Sequence, residues 1–333
     1  MKKHVGLFLG FVLLTTLCVP GSLMAAAYFE GKVIKIISGH EAGGGYDRVA
    51  RLLAKHLPKH IPGKPSIIVE NMPGASSIIA GNQTFTSKPD GLTLCSLDRG
   101  IATAELLKIE GIKFNLKKFA WIGSAAIEGT VLGIRTDLPY KTVEDVRKSK
   151  ETIHLAHTGP SSSSYQFGVI LKELAGFNIK MVGYMSSAPA MLAIEKKEVD
   201  GRAGAYSSLK PFIDRNLVWA VLRGRVAEQD TKNLPVDEDL VTDEKAKTIM
   251  AMRSSGDLMG RPYVAPPGTP PELMAILKDA FAKVSKDPEL IADAKKMKLE
   301  IDYTPPEQVM KVLDDLFSQP QEMINEYGKY VKF

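Results

Sequence analysis

Cysteine is nearly absent from this chain, which has 333 residues and only Cys18 and Cys95. If the leader described below is removed, Cys95 alone remains. One thiol can form neither an internal disulfide nor a cysteine-rich zinc site. The six histidines also lack a metal-protein spacing such as H-E-x-x-H. We therefore expect a fold stabilised by its hydrophobic core, without a metal or cofactor.

A strong charge imbalance and a second long apolar run are missing as well. The formal net charge is only +5 and no basic block occurs, which excludes nucleic-acid binding. The single long apolar run, residues 5–19, follows a positive start and precedes Pro20-Gly21 and the alanines at 25–27. This layout is typical of a secretory signal peptide. We predict that residues 1–27 are cleaved and that the protein is periplasmic; an uncleaved anchor is the alternative.

Strand-like and helix-like segments alternate along most of the remaining chain. The strand-like segments are residues 33–37, 67–69, 92–94, 131–134, 153–155 and 218–222. This alternation favours α/β layers with largely parallel sheets, and the length favours two lobes. Thr269 and Thr304 each precede a Pro-Pro-Glu run and are predicted helix caps. The charged, weakly periodic segment 237–259 is predicted to be a surface excursion on the second lobe.

A glycine-rich run at residues 40–47 is the most informative motif. It follows the strand at 33–37 and precedes an amphipathic helix that Asp47 is placed to cap. Gly43, Gly44 and Gly45 would let backbone N–H groups approach a ligand, and a helix N-terminus favours an anion. Arg48 stands where a dinucleotide fingerprint needs its third glycine. Taken alone, the run fits a plain strand-to-helix turn equally well.

Further polar turns occur at residues 71–77, 98–100, 158–164 and 184–189. Most of them follow strands and precede helices, and in doubly wound sheets such turns gather at the carboxyl edge, where ligands bind. Three turns come early and two come late, which predicts one set per lobe facing a shared cleft. Arg99 and Arg202 are candidate partners for a carboxylate, although either could equally face solvent.

Two other functions remain open from the residues themselves. One is a secreted α/β enzyme, hydrolase-like, that acts on a carboxylated substrate through a serine or Asp200. The four serines at 161–164 invite this reading, but no G-x-S-x-G elbow is present. The other is a binding protein for an ATP-driven importer.

Several motifs recur in an order that points to one family. They are residues 43–51, 68–75 and 89–91, then the serine turn after Gly159, 183–184 with 188–189, 199–200 and 265–270. On these motifs the chain resembles the extracytoplasmic receptors of tripartite tricarboxylate transporters, the Bug-type solute-binding proteins. The family usually carries glycine near Ser76 or Ser77 and near Ser186, so the chain departs from it at those turns.

The resemblance implies a two-lobed periplasmic binding protein fold of type II, in which each lobe is a mostly parallel sheet flanked by helices. Lobe 1 would comprise residues 28–128 and 258–333, and lobe 2 residues 129–257. The protein would be a non-catalytic, monomeric receptor that binds a small organic acid and docks on two integral membrane subunits. The candidate ligand-binding residues are Gly43, Gly44, Gly45, Tyr46, Asp47, Gly74, Ala75, Ser76, Ser77, Asp98, Arg99, Thr158, Gly159, Ser161, Ser162, Ser163, Tyr184, Ser187, Asp200 and Arg202.

Overall fold

A computed structural model describes residues 28–331, so the predicted signal peptide lies outside the described residues. The strands are β1 Val33–Ser38, β2 Ser66–Asn71, β3 Thr93–Ser96, β4 Ala120–Ser124, β5 Thr130–Arg135, β6 Ile153–His157, β7 Ile179–Gly183, β8 Gly201–Ala205, β9 Val218–Arg223 and β10 Pro262–Ala265. The longer helices are α1 Gly45–His56, α2 Ile78–Phe85, α3 Ile101–Leu106, α4 Val143–Arg147, α5 Ser163–Ala175, α6 Ser187–Glu195, α7 Tyr206–Asp214, α8 Glu244–Met259, α9 Pro271–Val284, α10 Pro288–Lys296, α11 Pro306–Phe317 and α12 Gln321–Tyr330. Within residues 28–331, no helix has the length and apolar character needed to cross a bilayer.

Two five-stranded sheets form the two lobes and share one topology. The first sheet has the order β2-β1-β3-β10-β4, and the second has the order β7-β6-β8-β5-β9. In the first, β1 is parallel to β2 and β3, while β10 is antiparallel to both of its neighbours. In the second, β6 is parallel to β7 and β8, while β5 is antiparallel to β8 and β9. Four strands of each sheet therefore run in one direction, which confirms the predicted α/β lobes.

The chain enters each sheet from the other through the strand that runs opposite to its neighbours. It leaves the first sheet after β4 and enters the second at β5, and after β9 it returns through α8 to β10 in the first sheet. On this basis we propose that the predicted boundaries near residues 128 and 258 separate the lobes. The carboxyl ends of β1, β2 and β3 face those of β6, β7 and β8 across the interlobe space, and this geometry positions the site.

The prediction for segment 237–259 is wrong. Most of it is helix α8, whose buried residues include Ile249, Met250 and Met252. The helix packs against α3, α5, α11 and α12. The polar residues of this segment suggested exposure to solvent. Arg253 and Asp257 are instead buried, where they form an ion pair.

Three predicted helix caps also differ in position. The N-caps of α9 and α11 are Pro270 and Pro305, one residue after the predicted threonines. The second proline of each pair occupies the first helical position, where its missing N–H is not needed. The N-cap of α1 is Gly44, and Asp47 lies in the first turn instead, where it accepts a hydrogen bond from the Gly43 amide at 2.8 Å.

Candidate functional site

A cavity of about 290 Å³ lies between the lobes. Its walls are the loops after β1, β2 and β3 from the first sheet, and the loops after β6 and β7 with the end of β8 from the second. The lobes touch around it: the Ser161 hydroxyl is 3.5 Å from the Ala75 carbonyl oxygen, and Gly159 lies against the Ser76 hydroxyl. Both lobes therefore contribute to one shared cavity.

The glycine-rich run forms one wall of this cavity. Gly44, Gly45 and Tyr46 line it at the start of α1. Asp47 does not line it, because its carboxylate is turned back to Asn71 and Arg51 and to the Gly43 amide. Burial opposes ionisation of Asp47, but these hydrogen bonds hold its pKa below the usual range. Asp47 thus fixes the shape of the loop.

The turn after β2 is left-handed over consecutive residues without a glycine. Ala75, Ser76 and Ser77 have φ angles of 45°, 50° and 70°. Each such residue costs about 1–2 kcal/mol relative to a right-handed conformation, and strain of this kind is concentrated at ligand sites. The Ser77 hydroxyl holds the turn by accepting a hydrogen bond from the Asp98 amide at 2.7 Å. The Ser76 hydroxyl is buried at the lobe contact and has no hydrogen-bond partner within residues 28–331.

The serine-rich turn after β6 supplies part of the opposite wall. Ser162 caps α5 by accepting from the Tyr165 amide, and its hydroxyl donates to the Gly159 carbonyl. Thr158, Gly159 and Ser163 line the cavity, whereas Ser161 and Ser162 do not. Nδ1 of His157 accepts from the Gly159 amide at 3.1 Å, so this nitrogen is not available to activate a serine.

Arg202 places a buried positive charge in the cavity. It projects from β8, is only 5% exposed, and donates from Nη1 to the Ser187 hydroxyl at the start of α6. Its Nε has no hydrogen-bond partner, and no carboxylate within residues 28–331 forms an ion pair with it. Burial, followed by the charge of the nearby Arg99, lowers the pKa of Arg202 to about 10, and the charge of Asp98 opposes this shift. The site therefore holds a desolvated cation that lacks a counter-ion.

Arg99 also lines the cavity, but its guanidinium is already occupied. Nε donates to the Ser163 hydroxyl at 3.1 Å, Nη1 to the Glu128 carbonyl at 2.6 Å and Nη2 to the Thr130 hydroxyl at 2.9 Å. Asp257 lies 3.4 Å from Nη1. Burial opposes the charge, but Asp257 and Glu128 raise the pKa of Arg99. The prediction of Arg99 as a free partner for a carboxylate therefore does not fit its contacts, which connect loop 98–100 to the second lobe.

A cluster of buried ion pairs surrounds Arg99 where the chain crosses between the lobes. Arg261 pairs with Glu128 at 2.7 Å, and Arg253 pairs with Asp257 at 2.7 Å and with Asp237 at 3.1 Å. We call the six residues the crossover cluster: Arg99, Glu128, Asp237, Arg253, Asp257 and Arg261. Each arginine in it has at least one carboxylate partner, in contrast to Arg202.

His40 and Asp98 form a polar pair on the first-lobe wall. His40 Nε2 lies 3.1 Å from Asp98 Oδ2, and the imidazole stacks on the Tyr46 ring with centroids 3.9 Å apart. The guanidinium of Arg261 lies 4.8 Å from the same Tyr46 ring. The start of α1 is therefore in direct contact with the crossover cluster.

The structure brings most of the sequence-predicted residues to this cavity. Asp200 is not among them, because its carboxylate accepts from the His154 amide at 2.8 Å at the far end of the second sheet. The predicted residues that do not line the cavity are Gly43, Asp47, Ser77, Ser161, Ser162 and Asp200, and the lining residues outside the prediction include His40, Glu41, Met185, Ser186 and Ser208. His40, Glu41 and Ser186 belong to turns that the sequence analysis had identified. Ser208 does not belong to any of these turns, so the sequence contained no signal that it lines the cavity.

Comparison with known proteins agrees with this architecture. Residues 49–329 match the model of the tripartite tricarboxylate transporter family receptor. A UPF0065 protein of Bordetella pertussis is 25% identical over 330 residues, covering 96% of this chain and 98% of its own. Among solved structures, MatC from Rhodopseudomonas palustris with bound malate is 21% identical with a TM-score of 0.70, covering 90% of this chain and 99% of its own. R. palustris Rpa4515 with adipate is 17% identical with a TM-score of 0.72, covering 89% and 97%. This chain belongs to the family of tripartite tricarboxylate transporter receptors.

Proposed function

We propose that the protein captures a small organic anion with a carboxylate group in the interlobe cavity and delivers it to the membrane subunits of a tripartite transporter. The observation that carries the proposal is Arg202, a cation that is 5% exposed in the cavity and has no carboxylate partner within the described residues. An unpaired buried charge is strongly unfavourable. A ligand carboxylate would supply the missing counter-ion.

The surroundings of Arg202 suit the same chemistry. The Ser187 hydroxyl and the N-terminus of α6 flank the guanidinium, and the starts of α1 and α5 reach the cavity from the two lobes. Helix N-termini favour anions through unpaired N–H groups and the helix dipole. The two structural relatives were solved with malate and with adipate, which are both carboxylates.

Ligand binding would be coupled to the distance between the lobes. Because the cavity walls come from both sheets, a bound acid contacts both lobes only when they are close together, and it stabilises that arrangement by differential contacts. A periplasmic location, through the leader at residues 1–27, belongs to the same proposal. So do the docking on two membrane subunits and the ligand role of the predicted residues that line the cavity.

A thermal-shift screen with calorimetric follow-up tests the proposal. A ligand that binds only the folded protein raises the melting temperature, so at least one small carboxylate is expected to raise it and to bind with one-to-one stoichiometry. Neutral sugars of similar size serve as the control. A shift with a sugar and none with any acid would contradict the proposal, and heat flow that continues after saturation would indicate turnover.

A further inference from the structure

The cavity that contains Arg202 also contains carboxylates, which a site for a plain anion would not need. Asp98 and Glu41 both line the first-lobe wall. Glu41 makes no hydrogen bond or ion pair with another described residue, and Asp98 is 4% exposed. A carboxylate ligand beside these side chains would meet like charge, which is repulsive and is poorly screened in a buried site.

Asp98 retains acceptor capacity in this position. Its Oδ1 accepts from the Gly100 amide at 2.7 Å, and its Oδ2 lies 3.1 Å from His40 Nε2. An ionised carboxylate offers about four acceptor positions, so these two contacts leave others unfilled. No lysine or arginine forms an ion pair with Asp98 anywhere in residues 28–331, although its charge raises the pKa of both cavity arginines, Arg99 and Arg202.

The two walls therefore present opposite requirements to a single ligand. The second-lobe wall offers a guanidinium donor, which suits a carboxylate, while the first-lobe wall offers carboxylate acceptors, which suit a hydrogen-bond donor. We propose, as a refinement that rests on the proposed function, that the ligand carries a hydroxyl or ammonium group next to its carboxylate and that Asp98 determines this specificity. Arg202 binds the carboxylate, and Asp98 accepts a hydrogen bond from the neighbouring donor.

The arrangement explains why a plain acid is a poorer ligand. An acid without the donor leaves Asp98 buried with unfilled acceptor positions beside a second negative charge. Sites that hydrogen-bond a polar group reject analogues that lack it, because their own polar atoms are left unpaired.

Calorimetric titration of the full-length mature receptor with matched acids tests this inference. Succinate, malate and aspartate share a four-carbon dicarboxylate skeleton and differ at one carbon by hydrogen, hydroxyl or ammonium. The three-carbon set of propionate, lactate and alanine and the five-carbon set of glutarate, 2-hydroxyglutarate and glutamate cover other sizes. In at least one set we expect a donor-bearing acid to bind at least about tenfold more tightly than the plain acid, as a charge-assisted hydrogen bond would give.

The variant Asp98→Asn tests whether Asp98 accepts the hydrogen bond from the hydroxyl or ammonium group of the ligand. The asparagine oxygen can keep the Gly100 hydrogen bond, which leaves an NH₂ donor where Oδ2 was, so the preference should fall below about threefold. Asp200→Asn is the matched control, since Asp200 does not line the cavity, and it should keep the wild-type ratio. If the variant does not fold, the ratio of affinities for donor-bearing and plain acids in the wild-type protein still decides whether the receptor prefers a ligand with the donor.

Different failures have different meanings. Acids that bind wild-type protein without any preference for the donor would overturn this inference and leave the proposed function intact, as would an unchanged ratio in a folded Asp98→Asn variant. Complete absence of acid binding in all three sets would overturn the proposed function and this inference with it.

Discussion

The ligand cavity and the crossover cluster both bury arginine side chains, but they balance the charge differently. In the crossover cluster, Arg253 and Arg261 are each within 2.7 Å of a carboxylate oxygen. In the cavity, Arg202 is buried almost as deeply, and among the described residues it hydrogen-bonds the Ser187 hydroxyl and forms no ion pair. Buried ion pairs within a protein are structural, whereas a buried charge without a partner implies that its partner comes from outside. The contrast separates residues that hold the lobes together from a residue that binds the ligand.

Replacing the cavity arginine should give the largest effect on binding. Arg202→Met is expected to weaken carboxylate binding by about 100-fold or more, because it removes the cation that pairs with the ligand. The melting temperature of the ligand-free protein should stay unchanged or rise, since an unpaired buried charge is removed. Calorimetry and thermal melting measure the two effects.

Arg135→Met is the matched control for that experiment. Arg135 lies on β5 in the same sheet, is buried, and pairs with Asp137 at 3.0 Å, but it does not line the cavity. Its loss should lower the melting temperature and leave affinity unchanged. If Arg202→Met destabilised the protein as Arg135→Met does and still bound acids, the distinction between the two kinds of arginine would be wrong.

Breaking the crossover cluster should have its main effect on stability. Glu128→Gln leaves Arg261 without its carboxylate, and breaking a buried ion pair on one side costs about 3–5 kcal/mol. Chemical denaturation of the ligand-free protein should show a loss of that order. Glu110→Gln, at an exposed glutamate without an ion pair, should change stability by less than about 0.5 kcal/mol. Equal effects in the two variants would show that the cluster is not stabilising.

The contact of α1 with Arg261 and with Ser208 of the second lobe should have a smaller effect on binding, which depends on how closely the lobes approach. A Cβ atom at Gly45 would lie 2.8 Å from Arg261 Nη2 and 3.1 Å from the Ser208 hydroxyl, whereas one at Gly44 would meet only the Glu41 carbonyl at 3.6 Å. Gly45→Ala should therefore weaken ligand binding by about tenfold through overpacking, and Gly44→Ala should not. Small-angle scattering with ligand should show a more extended Gly45→Ala protein; equal envelopes for the two variants would contradict this.

The smallest expected effect concerns pH and Glu228, which accepts from the Gly129 amide beside the crossover cluster at 3.0 Å. Burial, followed by the charge of Glu128, raises the pKa of Glu228 from 4.5 to about 8. The folded protein thus binds this proton more tightly than the unfolded chain, so stability falls as pH rises from 4.5 to about 8. Glu228→Gln should leave the melting temperature unchanged at pH 4 and raise it by about 2 °C or more at pH 9. Glu110→Gln is again the control, and a gain of equal size at both pH values would exclude this cause.

The sequence predicted the fold and the general location of the site well, for identifiable reasons. Strands such as β1 and β2 are rich in valine and isoleucine, and the turns that follow them contain glycine or serine, so the carboxyl-edge rule placed these turns in one cleft. Strand β8 was missed because Gly201-Arg202-Ala203-Gly204-Ala205 contains no apolar run. It is nevertheless buried, since it lies between β6 and β5.

The pairing of charges could not be predicted from the sequence. Arg99 and Arg202 looked equivalent as candidate charge partners. Only the structure shows that Arg99 pairs with Asp257, while Arg202 forms no ion pair with any residue from 28 to 331. Several of these ion pairs join residues far apart in the chain, such as Arg99 with Asp257 and Arg261 with Glu128. Local patterns carry no information on contacts over that separation.

Strand β10 has a consequence for the order in which the molecule is assembled. It occupies the position between β3 and β4, although residues 262–265 follow the whole of the second sheet in the chain. Before they are made, β4 has no strand to pair with among the described strands, and β3 presents an open edge that can join another chain. A polypeptide that emerges amino end first therefore completes its second lobe before its first. A product truncated ahead of residue 262 is left with β4 unpaired and with an open edge on β3, and both favour aggregation.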